Sequence, residues 1–273
     1  MAIERIYDSG QTPPPFWEEM VALWTYRDLI RQMVARDIKV RYKRSVLGIA
    51  WTMFNPLLMM VVLTLVFSHL FRWDLPNYPI YLLSGTLLWN FFAQTTTLGM
   101  QQLVWGGSLL HRIYMPRTVF AVSSVGTGLV NLALALIPLS FIMLLTGAPF
   151  RPALVFLPIA VLQAALFTLG ITLLLSSFAA VFPDIIEMYQ VLLMAWYFLT
   201  PVFYPVKVLP ESYIFWFKIN PLHHLIAAFR GPIYWGTIPS LESISVTSLM
   251  ALVVLAAGWL IFTSKAEQII YRL

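Results

Sequence analysis

Charged residues fall in a few clusters along the chain, and the apolar stretches between them are long enough to cross a bilayer. At about 1.5 Å per residue, the uncharged run from Val46 to Phe71 exceeds a hydrocarbon core of roughly 30 Å. Counted this way, the chain predicts spans at about 46–71, 80–104, 118–145, 153–181, 185–204 and 244–263. Breakers separate them: Pro76 and Asn77, Gly106 and Gly107, Gly147 with Pro149 and Pro152, Pro183 with Asp184, and Pro201 with Pro205. The pattern predicts an all-α polytopic membrane protein with six transmembrane helices.

Ahead of the first span, Pro13, Pro14 and Pro15 stop any earlier helix, and residues 16–45 read as helical. Leu23, Tyr26, Ile30, Met33 and Val34 share an arc of roughly 100°, on which Arg27, Asp37 and Arg41 intrude. Trp17 and Trp24 beside a run of arginines and lysines suit an interfacial amphipathic helix at headgroup level. The first fifteen residues carry charges and no apolar core, so a cleavable signal peptide is not expected.

Between the fifth and sixth spans, residues 205–243 are too apolar for a solvated loop and too broken for a crossing. Asn220-Pro221 and Gly231-Pro232 divide them into pieces of about ten residues, read as two short re-entrant outer helices. The chain thus divides into an N-terminal tail, 1–45, a transmembrane domain, 46–263, with a short connection at 105–117, and a C-terminal tail, 264–273.

Lysine and arginine orient these segments. The N-terminal tail holds eight, the 105–117 connection two and the C-terminal tail two, which makes 12 of the 17. An even number of spans and the positive-inside rule place both termini in the cytoplasm.

Composition narrows the function classes. Only 11% of residues are charged and the mean hydropathy is +0.80, which excludes a soluble enzyme or a disordered chain. The net charge is +5, and eight of the 17 basic residues crowd ahead of the first span, which points to a membrane surface and not to nucleic acid. Cysteine is absent, which removes disulfides, thiolate metal sites and cysteine nucleophiles. Apart from Glu187 at the start of the fifth, no ionised residue lies inside a span, so proton coupling has no relay, and no metal or cofactor site is expected on this chain. No phosphate-binding loop is present, so any energy source lies on a partner.

Neutral polar residues are patterned. Thr86, Asn90, Gln94, Thr97 and Gln101 fall on one face of the second span, with shorter stripes at Ser124, Thr127, Asn131 and at Thr168, Thr172, Ser176. Such stripes either bond helices together or line a passage for a neutral hydrogen-bonding solute. In the fifth span Tyr189, Trp196 and Phe203 recur every seven residues beside Tyr197 and Tyr204, an arrangement whose ring faces suit sugars or membrane-end anchoring. Toward a partner, the basic helix before Ser45 and the 105–117 element, opened by Gly106-Gly107 and stopped by Pro116, are the available docking pieces. Arg41, Lys43 and Arg44 at the inner face suit either an anionic substrate group or lipid headgroups and topology.

Arg36-Asp37-Ile38-Lys39-Val40-Arg41-Tyr42-Lys43, followed by Leu47-Gly48-Ile49-Ala50-Trp51 and Asn55-Pro56-Leu57, resembles the start of ABC-2 type permeases that export polysaccharides. Phe182-Pro183-Asp184-Ile185, Thr200-Pro201-Val202-Phe203-Tyr204 and Asn220-Pro221 extend the resemblance over nearly the whole chain. Pro183 stands where that family has an arginine.

The resemblance implies a homodimer in the bacterial cytoplasmic membrane. It also implies two copies of a separate ABC ATP-binding subunit that bind ATP and Mg, and an undecaprenyl-pyrophosphate-linked glycan such as an O-antigen, capsule or teichoic acid. By the same resemblance Leu109, Leu110, His111, Arg112, Ile113, Tyr114 and Arg117 couple to the ATPase. Trp51, Phe54, Tyr189, Trp196, Tyr197, Thr200 and Phe203 line the channel, and Tyr213, Phe217, Asn220, Pro221, Leu225 and Phe229 close its outer end. Two other readings stay open: an ABC-2 permease for a drug or small amphiphile, and, remotely, a membrane-embedded enzyme using Asp184 and Glu187.

Overall fold

A computed structural model describes residues 15–43, 47–48, 50–69, 75–106, 116–208 and 210–265. Among these residues every regular element is helical. Four helices are long and apolar enough to cross a membrane: α3 (Ala50–His69), α5 (Thr118–Leu145), α6 (Leu157–Ala179, entered through the 3-10 turn Pro152–Phe156) and α10 (Leu241–Ser264). A fifth, α4 (Tyr78–Trp105), has 28 residues and a length of about 42 Å. Its polar stripe makes it less apolar than those four.

The predicted fifth span, 185–204, is helical only as α7 (Ile185–Phe198). Pro201 cannot donate to a helix and disfavours helical backbone at Thr200, so the chain leaves the helix and folds through turns over 199–204. The predicted N-terminal helix is α1 (Pro15–Thr25) and α2 (Arg27–Tyr42), separated at Tyr26. There the Thr25 hydroxyl donates back to the Val21 carbonyl at 3.0 Å, a bond that bends helices.

Beyond α7 come α8 (Glu211–Ile219) and α9 (Pro221–Arg230), the two short helices expected there. Asn220 divides them, and its side chain accepts from the Leu222 amide at 3.1 Å as the N-cap of α9. A π-helical turn, Gly231–Trp235, follows.

α4 is the axis of the packing. Its apolar side chains join those of α5, α6 and α9 in the main core, where Phe92, Phe167 and Phe229 are fully buried. A second cluster gathers Leu103, Val119, Phe120, Leu173, Trp259 and Phe262 at one end of the bundle, here called basal. Met33 of α2 is buried in it, with Leu23, Tyr26 and Ile30 packed alongside. Val34 lies against Gly126 of α5, where a Cβ would come 2.9 Å from the valine methyl. The apolar arc read from the sequence is therefore a docking face against the helix bundle. Trp24 points away from it, 72% exposed. The opposite, distal end carries α8 and α9.

Candidate functional site

At the basal end one carboxylate ties α2 to the bundle. The Gln102 amide of α4 and the Thr127 hydroxyl of α5, the latter at 3.3 Å, both donate to Asp37 Oδ2. Ser123 donates to Gln102 Oε1 at 3.2 Å, and Arg36 pairs with Asp37 Oδ1 at 3.1 Å. The Asp37 side chain is only 12% exposed, so these bonds are charge-assisted in a sheltered setting. Nearby, burial pushes the Glu19 carboxyl of α1 above its ordinary range, and Arg117 at the start of α5 opposes the shift. Asp37→Ala is expected to destabilise α2 docking by about 2 kcal/mol and to speed amide exchange across α2 more than tenfold, with Asp37→Asn losing less. Exchange mass spectrometry checks this.

Above Asp37, a cavity of about 270 Å³ opens between α3, α4 and α5. Arg41 and Trp51 line its basal part, and Asn55, Asn90, Gln94 and Asn131 supply amides along its walls. The polar stripe of α4 is thus divided in use. Asn90 and Gln94 face the cavity, and the Thr97 hydroxyl bonds its own helix at Ala93. Thr127 serves Asp37, whereas Thr168, Thr172 and Ser176 are buried in α6.

At the distal end the 199–205 turns are clasped from three sides. Tyr78 and Tyr81 of α4 donate to the carbonyls of Phe203 (2.8 Å) and Tyr204 (3.0 Å). Asn220 donates to Thr200 Oγ1 at 2.9 Å and accepts from the Trp196 indole at 3.1 Å. Arg230 of α9 is buried. It donates to the carbonyls of Pro201 (3.1 Å) and Val202 and to Ser84 Oγ (3.4 Å), with its guanidinium 3.8 Å from the Tyr81 ring centroid.

The structure brings several residues predicted from the sequence together. Trp196, Thr200 and Asn220 meet in one hydrogen-bonded group, and the tilted rings of Tyr197 and Phe203 lie 5.6 Å apart beside Trp89. Tyr189 turns inward to bond Thr96 at 2.9 Å. These aromatics pack within the subunit. The open face of α7 carries Met188, Val191, Leu192, Met194 and Phe198, and that of α3 carries Trp51, Phe54, Leu58 and Leu65. Leu225 and Phe229 are core residues, Phe217 is buried with its ring 6.2 Å from Tyr204, and Pro221 opens α9. Arg41 and Lys43 are exposed. Arg44, residues 107–115 with Leu109 to Tyr114, and the side chain of Tyr213 lie outside the described residues. Asp184 and Glu187 sit exposed at the start of α7. Sequence reasoning assigned no role to Asp37, Gln102 or Arg230. Arginine in the apolar run Ala227-Ala228-Phe229-Arg230 was the available signal for the last.

The sequence profile of ABC-2 type transporters matches residues 28–234, a stretch that includes the Asp37 group, the cavity and the distal clasp. The O-antigen export system permease protein RfbA of Myxococcus xanthus is 31% identical over 252 residues, covering 90% of this chain and 95% of that protein. A protein of the same name from Klebsiella pneumoniae is 27% identical over 236 residues, covering 86% and 91%. The polysialic acid transport protein KpsM of Escherichia coli is 22% identical over 246 residues, covering 88% and 95%. With its apolar helices and a profile match running from α2 through α9, this chain is a multi-pass membrane protein of the ABC-2 type transporter family.

Proposed function

We propose that this chain is the channel-forming permease subunit of an ATP-driven exporter that moves a lipid-linked polysaccharide out across the bacterial cytoplasmic membrane. The end-to-end relation to permeases named for O-antigen export carries this reading. In it, α3, α4, α5, α6, α7 and α10 are six spans with both termini cytoplasmic, and α8 and α9 re-enter the outer leaflet. α3 favours a homodimer, because only 11% of its apolar window is buried within one chain. Its open face and that of α7 would meet a second copy or line the passage between copies. Two separate ABC ATP-binding subunits engage α1, α2 and the 105–117 connection, and nucleotide-driven closure biases two arrangements of the permease halves. Arg41, Lys43 and Arg44 meet the pyrophosphate of the lipid carrier.

Co-reconstitution tests this. The chain alone is expected to hydrolyse no ATP. With an ABC ATP-binding subunit, hydrolysis is expected to rise on addition of undecaprenyl-pyrophosphate-linked glycan, and reversing the charge at Arg41, Lys43 and Arg44 together should remove that rise. Stimulation by small amphiphiles and not by the glycan would move the cargo to another class, and hydrolysis by the chain alone would end the proposal.

A further inference from the structure

The cavity between α3, α4 and α5 has the chemistry of a binding site, and we propose that it holds a single sugar ring bearing a neighbouring phosphate, the carrier-proximal unit of the glycan. This rests on the export reading above. Its walls are amide-rich in a region where polar groups are expensive. Asn131 lies thirteen residues into α5, about 20 Å from its basal start and well inside the hydrocarbon depth. Asn55, Asn90, Gln94 and Asn131 reach this one space from three helices. Helix glue would pair such groups across an interface. Asn55, Asn90 and Gln94 instead face a shared space, where a ligand can bond them.

The lining selects the ligand. No carboxylate is present, so a cation gains nothing there, and the amides match the alternating donors and acceptors of a polyol. Trp51 and Phe91 supply flat apolar faces for the C–H side of a ring. Arg41 is the one cation of the lining and stands at the basal part, where a phosphate attached to the ring would lie. A volume of about 270 Å³ sits just below the roughly 300 Å³ at which drug-sized pockets begin, which fits one ring and no longer segment. Gly128 seats the Thr95 side chain against α5, since a Cβ there would come 2.0 Å from the threonine hydroxyl.

The chain's lack of cysteine supplies the test. Ala135→Cys places a single thiol on the cavity wall without altering any proposed ligand-binding group. The full chain in phosphatidylcholine nanodiscs is treated with a small methanethiosulfonate reagent, with or without glucose 1-phosphate. At about ten times its Kd the sugar phosphate is expected to slow modification about tenfold, and inorganic phosphate is not. Adding Asn90→Leu or Asn131→Leu should abolish the protection, and Arg41→Gln should weaken it.

A thiol that never reacts, or reacts equally fast with the sugar phosphate present, overturns the proposal. So does equal protection by phosphatidylglycerol nanodiscs, which would assign the cavity to an ordinary lipid headgroup. The readout needs no ATPase. Protection without glycan-stimulated hydrolysis would remove the export reading alone, and export with an unprotected thiol would remove the sugar site alone.

Discussion

Arg230→Ala is expected to release the distal clasp, lowering stability by about 3 kcal/mol and stopping transport in the reconstituted complex. From α9 the side chain reaches both α4 and the 199–205 turns. Its loss leaves the Pro201 and Val202 carbonyls without their donor in a buried site, at about 1–3 kcal/mol each. It also removes the contact with the Tyr81 ring, worth up to about 2 kcal/mol when desolvated. Against this, an arginine paired with carbonyls and no carboxylate is costly to bury, and its removal returns part of that cost. Arg230→Lys should recover little, because one ammonium cannot replace a planar fork that serves three acceptors.

Gly85→Ala supplies an independent check, since a Cβ there would sit 1.9 Å from the Arg230 guanidinium nitrogen and 2.7 Å from the Val202 carbonyl. It should reproduce the arginine phenotype, and the double variant should lose less than the two single losses combined. Thermal unfolding in detergent measures all four. Wild-type stability in Arg230→Ala would show that the turns are held by Tyr78, Tyr81 and Asn220 alone.

The contrast between Arg230 and α5 shows what the sequence makes legible. α5 runs from Thr118 to Leu145 as predicted, because Pro116 and Arg117 precede it and Gly147 follows it, so both ends are written locally. The short helices α8 and α9 were equally readable from Asn220-Pro221. Arg230 has no such local sign, because its acceptors are contributed by residues 28, 29 and 146 positions away. The same limit applies to α7. A seven-residue aromatic repeat identifies one helix face, but only packing shows that Tyr189 and Trp196 face α4 and not the open side. The stripe of α4 was visible as a stripe, and its division between a cavity and self-bonded threonines depends on which helices approach each turn.

The second large effect is expected where α6 crosses α10. A Cβ on Gly258 would lie 2.1 Å from the Gly170 carbonyl oxygen, and one on Gly170 would lie 2.6 Å from the backbone of Val254 and Leu255. These are main-chain atoms that cannot rotate aside, so the helices must separate. In a bilayer, close backbone approach through small residues supplies much of the association energy, because lipid and side chains are equally apolar. The sign of the prediction is informative. An alanine in place of a helical glycine ordinarily gains about 1 kcal/mol, yet Gly258→Ala and Gly170→Ala are each expected to destabilise by about 3 kcal/mol or more. Gly126→Ala should cost far less, since its nearest neighbour is a Val34 methyl that can yield. The damage should also travel. Trp259 and Phe262 follow Gly258 directly into the basal cluster that buries Met33. Loosening α10 is therefore expected to raise amide exchange in α2, the helix proposed to meet the ATP-binding subunit, while leaving the α4 amides beside the distal clasp protected. Uniform deprotection of both would mean that Gly258 acts on the whole bundle and not through the α6–α10 crossing.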